Sequence, residues 1–347
     1  MSLTDTFIQL SERGLMPDFL IRSGIRNLCK KRLEQCQIED CEKNAELAEE
    51  YLQQVDQSPL AVETDKANEQ HYEVPAEFYH LVLGKNLKYS CCCYEPGTQG
   101  LDQAENRALE LTCQRADLQD GQDILELGCG WGSLSLWMAN SFPNSRIRSV
   151  SNSNSQREYI MKTASMRGLG NLEVVTADVN AFETDQFYDR VVSVEMFEHV
   201  RNHRQLFDRI HGWLKTGGKL FTHIFCHRST SYPFVVEGED DWMSQHFFSG
   251  GTMPADELFL RICGKLELEQ RWRWSGTHYA KTSEDWLLNL DRNKDAAIAI
   301  FSKDQSEKDA HKSFHRWRIF FLACAETFAY SKGQEWWVSH YLFAKQG

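Results

Sequence analysis

Residues 195–199, Glu195-Met196-Phe197-Glu198-His199, gather two carboxylates and an imidazole within five positions. Wound as a helix, the segment turns Glu195 toward both Glu198 (i+3) and His199 (i+4). Close carboxylates raise one another's pKa, and burial adds to the effect. Such a cluster holds an ammonium ion and can also take its proton. Cys91, His223, Tyr279 and Cys324 are further groups that could line the acceptor side of a site. Trp242, Phe247, Phe248, Trp272 and Trp274 suit an aromatic wall or a cation–π cage, and serve equally well as ordinary packing. The run Cys91-Cys92-Cys93 does not read as a metal site, because adjacent cysteines cannot easily share one tetrahedral ion.

The acidic trio needs a frame. It follows a predicted strand at 188–194, one of five in a strand–helix alternation, the others being 124–128, 146–151, 172–176 and 220–225. The fourth helix spans about 202–214, and Lys215-Thr216-Gly217-Gly218-Lys219 reads as the turn into the fifth strand. This alternation implies a parallel sheet covered on both faces. Right-handed crossovers then bring the strand C-terminal ends, and any ligand, to one edge. The first strand runs into Gly128-Cys129-Gly130-Trp131-Gly132-Ser133 and a helix. Glycines at 128 and 130 let a ligand approach the backbone, and the helix start offers free N–H groups. A dinucleotide site would want glycine at 133 and an acid about 20 residues on; here stand Ser133 and, after the second strand, Ser151-Asn152-Ser153.

The pattern Glu126-x-Gly128-x-Gly130 instead resembles the first motif of S-adenosylmethionine-dependent methyltransferases. On that reading Asn152 and Gln156 lie where ribose hydroxyls would, since an amide both accepts and donates. Asp178, in Ala177-Asp178-Val179 after the third strand, could take the adenine amino group. The acidic trio then sits at the same strand edge as the donor's methyl.

Composition narrows the partners. The 347 residues are 41% hydrophobic and 25% charged, ample for a large core. A net charge of −12, from 38 basic and 50 acidic residues, argues against nucleic acid and gives no general pull toward anionic lipid. Eleven cysteines without a C-x-x-C pair read as a reducing compartment with neither disulfide framework nor zinc. Without a signal-like N-terminus or a run near the ~18 apolar residues of a membrane span, we expect a cytoplasmic protein. We expect a helical segment over 1–57, a cap over 58–118 contributing to the donor pocket, a core over 119–226, a lid and substrate-binding insertion over 227–335, and a closing strand of the core sheet over 336–347. Phe19, Leu20, Ile25, Leu28 and Leu33 read as the apolar stripe of a basic helix, with the linker near Ser58-Pro59 and Thr64-Asp65.

From about residue 60 to the end, the chain resembles the cyclopropane-fatty-acid-synthase-like methyltransferases, and within them the coclaurine N-methyltransferase branch. The resemblance is carried by Glu69-Gln70-His71-Tyr72, Gly84-Lys85-Asn86-Leu87-Lys88-Tyr89-Ser90-Cys91-Cys92, Leu127 through Ser133, Glu195 through His199, Asp240-Asp241-Trp242, Gly250-Gly251-Thr252-Met253-Pro254 and His278-Tyr279. It implies an α/β, Rossmann-like class I methyltransferase with a seven-stranded sheet, a helical N-terminal cap and an inserted lid. It places the donor against Tyr89, Ser90, Gly128, Cys129, Gly130, Ser151, Asn152, Gln156, Asp178 and Val179, with Glu195, Glu198 and His199 binding and deprotonating a small, alkaloid-like amine. In the lipid-modifying branch, Cys91, Glu198, His223 and Tyr279 resemble a bicarbonate site. That keeps methylation or cyclopropanation of unsaturated acyl chains as the alternative, with membrane contact through the basic helix at 20–33. Cys324 falls where lipid-branch members often carry a cysteine. The expected assembly is a monomer or a homodimer.

Overall fold

The structure is a computed structural model that describes residues 3–36, 40–61, 74–235 and 242–347. Glu69 through Tyr72, Thr64-Asp65 and Asp240-Asp241 lie outside the described residues. Helices α1 (Leu3–Glu12), α2 (Asp18–Cys36), α3 (Cys41–Asp56), α4 (Ala76–Val82) and α5 (Leu101–Arg115) precede the first strand. The alternating core follows as β1 (Asp123–Leu127), α6 (Ser133–Ser141), β2 (Arg146–Ser151), α7 (Asn154–Met166), β3 (Leu172–Thr176), β4 (Tyr188–Val194), α8 (His203–Trp213) and β5 (Leu214–His227). An insertion carries a two-residue ribbon, β6 (Tyr232–Pro233) with β7 (Thr252–Met253), and two short helices, α9 (Trp242–His246) and α10 (Leu258–Ile262). The chain ends with β8 (Leu266–Trp274), α11 (Gly276–Arg292), α12 (Lys294–Phe301), α13 (Glu307–Ala329) and β9 (Trp336–Lys345).

The strands form one seven-stranded sheet in the order β3-β2-β1-β4-β5-β9-β8. β1 to β5 pair in parallel, and β9 runs antiparallel to both β5 and β8. Central strands such as Val191-Val192 are buried throughout, as a sheet covered on both faces requires. Reversal of strand order at β1 opens a crevice beyond the ends of β1, β2 and β4, where this architecture takes its ligands.

Several expectations shift. β5 starts at Leu214 and includes the segment expected as a turn; Gly217, at φ 75°, absorbs the irregularity in its register with β4. The stripe on α2 is Ile21, Cys29, Leu33 and Cys36, while Phe19 is 67% exposed and Leu20 and Leu28 each 38%. Two bases of α2 pair with acids of the protein: Arg22 with Glu284 and Glu326, and Arg26 with Glu326. Nor do the first helices act as one unit. α1 and α2 pack with the helices of the cap, whereas Leu52 and Val55 of α3 pack under the sheet with α8. Ser58 to Ala61 is no free linker, since Leu60 is buried and its carbonyl accepts from the Arg201 and Asn202 N–H groups.

Glu12, buried at the end of α1, ties three elements together. It accepts from Trp242 Nε1 at 3.1 Å and Arg316 Nε at 2.8 Å, and pairs with Lys312 at 2.8 Å. Among the described residues no helix is long and apolar enough to cross a membrane.

Candidate active site

The crevice is a cavity built on the β1–α6 turn. Gly128 (φ 79°) is left-handed, and a Cβ there would stand 2.5 Å from Met196 Cγ. Gly130 (φ 51°) is also left-handed and faces open space. Both positions therefore need glycine, one for conformation and close packing and the other for conformation. Tyr89, Ser90, Gly128, Cys129, Gly130, Ser151, Asn152, Gln156 and Val179 all line the cavity, as do Lys88, Glu126, Phe182, Glu195, Met196 and His199. Gln156 uses its amide oxygen to accept from Ser151 Oγ at 2.7 Å, and its Nε2 has no partner among the described residues. Ser133 Oγ and Trp131 Nε1 are buried on the same lining and likewise have none there. Unmet polar groups beside a glycine cradle fit a polar ligand that approaches the backbone closely.

Asp178 stands between Ala177 and Val179, which both line the cavity. It is absent from the cavity wall, and its Oδ1 accepts from Asn180 N at 2.6 Å, which makes it the first residue of a turn. Glu126, by contrast, is buried on the wall. Burial raises its carboxyl to about 7, against the opposing hydrogen bonds from Ser135 and Ser149.

The acidic trio is assembled differently from the helix the spacing suggests. Glu195 leaves β4 in a left-handed conformation, φ 50°, and only Phe197–His199 forms a single helical turn. The i, i+3, i+4 geometry therefore does not hold for Glu195. Its N–H donates to His223 O at 2.8 Å, continuing the β5 pairing, and its carboxylate turns toward the segment before α5. There Oε1 accepts from Cys91 N at 2.8 Å and His223 Nε2 at 3.0 Å, and Oε2 from Tyr279 OH at 2.6 Å. Burial pulls the His223 imidazole well below its ordinary value, so the ring is neutral and Nε2 carries the proton it donates.

Glu198 is wholly buried. Its Oε1 accepts from Phe225 N at 2.7 Å, while Oε2 has no partner among the described residues. Burial, then the charge of Glu195, push its carboxyl well above the carboxylate range. Burial raises Glu195 too, but Lys88 and the hydrogen bonds from Tyr279 and Cys91 work against it. Glu195 is thus the member that ionises first, and Glu198 holds the proton. His199 lies at the cavity wall with its ring 4.7 Å from that of Phe248.

The remaining expected residues sort cleanly. Cys91 contributes a backbone N–H; its thiol is buried and donates to Cys92 O, and burial raises it well above its usual value. Cys324 packs beside the same site, and its thiol too is raised by burial, which removes it as a nucleophile. The set Cys91, His223 and Tyr279 converges on Glu195, not on Glu198. The donors that the lipid alternative would use for bicarbonate are therefore taken by a side chain of the protein. Of the five aromatics, Phe248 reaches His199. Phe247 instead stacks on Phe320 at 4.4 Å with Trp242 beside it, and Trp272 and Trp274 flank Arg115 on the outer strand. Lys88 also lines the cavity; in the sequence it is marked only by its place in the motif Gly84 through Cys92.

The sequence profile of the mycolic acid cyclopropane synthetase family matches residues 61–336. The chain belongs to that family. It is an S-adenosylmethionine-dependent methyltransferase. The methyltransferase is 37% identical to the (S)-coclaurine N-methyltransferase of Thalictrum flavum subsp. glaucum, over 96% of this chain and 94% of that one. It is 32% identical to the pavine N-methyltransferase of the same plant, over 98% and 96%. Among solved structures, coclaurine N-methyltransferase bound to N-methylheliamine and S-adenosylhomocysteine superposes with a TM-score of 0.91 at 34% identity, covering 97% of each chain. The cyclopropane synthase MmaA2 of Mycobacterium tuberculosis shares the fold, with a TM-score of 0.70 at 24% identity over 81% of this chain and 98% of that one.

Proposed function

We propose that this methyltransferase N-methylates a small, aromatic, alkaloid-like amine. The observation that carries the reading is the free, buried Oε2 of Glu198 beside an anchored Glu195. Tyr89, Ser90, Gly128, Cys129, Gly130, Ser151, Asn152, Gln156 and Val179 hold the donor, which supplies an electrophilic methyl group on a sulfonium. The amine enters as an ammonium ion, drawn by the negative charge that Glu195 keeps. Cys91, His223 and Tyr279 fix that carboxylate so that it orients the cation without taking its proton. As the cation arrives Glu198 gives its own proton up to bulk water, and the carboxylate so formed accepts the ammonium proton on Oε2 and frees the nitrogen lone pair. His199 and Phe248 flank the nitrogen and exclude water. Positioning contributes about 7–11 kcal/mol of the barrier reduction, and the base a further 10²–10⁴-fold, roughly. Support also comes from the coclaurine and pavine N-methyltransferases, which are similar over nearly their whole length.

The test is Glu198→Gln, assayed for transfer of labelled methyl into a panel of benzylisoquinoline-type amines and unsaturated phospholipids. Turnover on amines should collapse while S-adenosylhomocysteine still binds by calorimetry. Full turnover in the variant, or methyl transfer by the wild type into lipid alone, would sink the proposal.

A further inference from the structure

Lys88 is an unusual wall for a pocket that receives a cationic donor. It is 3% exposed, and its ammonium donates to Ser90 Oγ at 2.5 Å and to Cys91 O at 2.7 Å. Its third N–H has no acceptor among the described residues, and no carboxylate there forms an ion pair with it. The charges of Glu195 and Glu105 reach it only through space, and neither carboxylate takes its third N–H, so a ligand anion has a place to bind. Of the described residues lining the cavity, Lys88 is the one lysine or arginine, and Glu126 and Glu195 are the carboxylates. The donor has the complementary pattern: one carboxylate, an ammonium and a sulfonium.

We propose that Lys88 recognises the carboxylate of the donor's amino-acid tail. It does so directly, through its third N–H, and through Ser90. Because Ser90 Oγ accepts from Lys88, the hydroxyl proton of Ser90 is left to donate to the same carboxylate. The two acids then face the two cationic centres, so one lysine sets which way round the donor lies. This inference rests on the donor-site reading above. A purely structural lysine would do something else: by holding Cys91 O it would steady the segment whose N–H anchors Glu195, and its loss would lower turnover with any ligand.

The two roles separate by equilibrium binding to the full chain. S-adenosylhomocysteine and its decarboxylated analogue are titrated calorimetrically into wild type, Lys88→Met and Lys88→Arg. Wild type should favour the carboxylate-bearing ligand by about 10- to 100-fold, the range of a hydrogen bond to a charged group. Lys88→Met should lose most of that preference while binding the decarboxylated analogue about as well as wild type does. Lys88→Arg should keep part of it. Equal affinities in wild type, or an undiminished preference in Lys88→Met, overturn the assignment. Should the methionine variant fail to fold, the wild-type ligand pair and the arginine variant still decide. A wild type that binds neither ligand removes the donor-site reading itself.

Discussion

Two buried carboxyl sites lie beside the C-terminal half of β5, and they are built in opposite ways. Asp256, 2% exposed, is saturated: Arg273 and Ser339 each reach it at 2.5 Å, Trp337 Nε1 donates at 3.3 Å, and Arg271 stands at 3.6 Å. Burial works to raise its pKa, but Arg273, Ser339 and Arg271 outweigh burial and hold it below the usual carboxylate range. Glu198 has one backbone N–H, a neighbouring carboxylate and an empty oxygen. Depth is common to both sites. Partners decide that one is an anion tying the insertion to the sheet and the other a carboxyl that resists ionisation.

Breaking the comparison at the catalytic end should have the largest effect. Glu198→Gln is expected to cut kcat by about 10²-fold or more, measured as labelled methyl transfer per folded molecule. At the structural end, Asp256→Asn should cost about 2–4 kcal/mol of stability by leaving arginines facing a neutral group. A urea titration checks this, and kcat per folded molecule should stay near wild type. Next, Tyr279→Phe removes one of three donors to Glu195. Loss of a charge-assisted hydrogen bond of about 1.5–3 kcal/mol should raise the pKa governing kcat/KM and lower the rate about tenfold.

The two sites should also respond to pH with opposite sign, a smaller and sharper test. Asp256 has a depressed folded pKa, so its stabilisation is present above the unfolded value of about 3.9 and disappears as pH falls through the folded value. Glu198 has a raised one. The unfolded chain ionises near 4.3, roughly, while the folded chain resists, so stability is lost as pH climbs from there toward the folded value. Glu198→Gln should accordingly be more stable than wild type near neutrality, by about 1–2 kcal/mol, and the gap should close as pH approaches 4. A gap that widens on acidification would falsify the protonation assigned to Glu198.

The contrast also shows what a sequence can and cannot disclose. Arg146–Ser151, Leu172–Thr176 and Tyr188–Val194 are strands at the expected bounds, because local pattern and flanking turns agree there. The start of β5 escaped because Gly217 marks an irregularity inside the pairing, and glycine signals turn and bulge alike. Phe19 and Leu28 were misread because α2 buries the stripe one position along, including two cysteines that carry little apolar signal. The acidic trio was found by residue type, yet its division of labour was hidden. Nothing in Glu195-Met196-Phe197-Glu198 announces that a glutamate adopts a positive φ, a conformation rarely taken outside glycine and asparagine. Its partners at 91, 223 and 279 are brought together by topology alone.

The junction at Glu12 bears on how the protein is handled. One carboxylate near the chain start is shared by Trp242 in the insertion and by Lys312 and Arg316 on the long penultimate helix. Removing α1 would strand two basic side chains and an indole where the insertion meets that helix, so this segment is best kept whenever the protein is prepared.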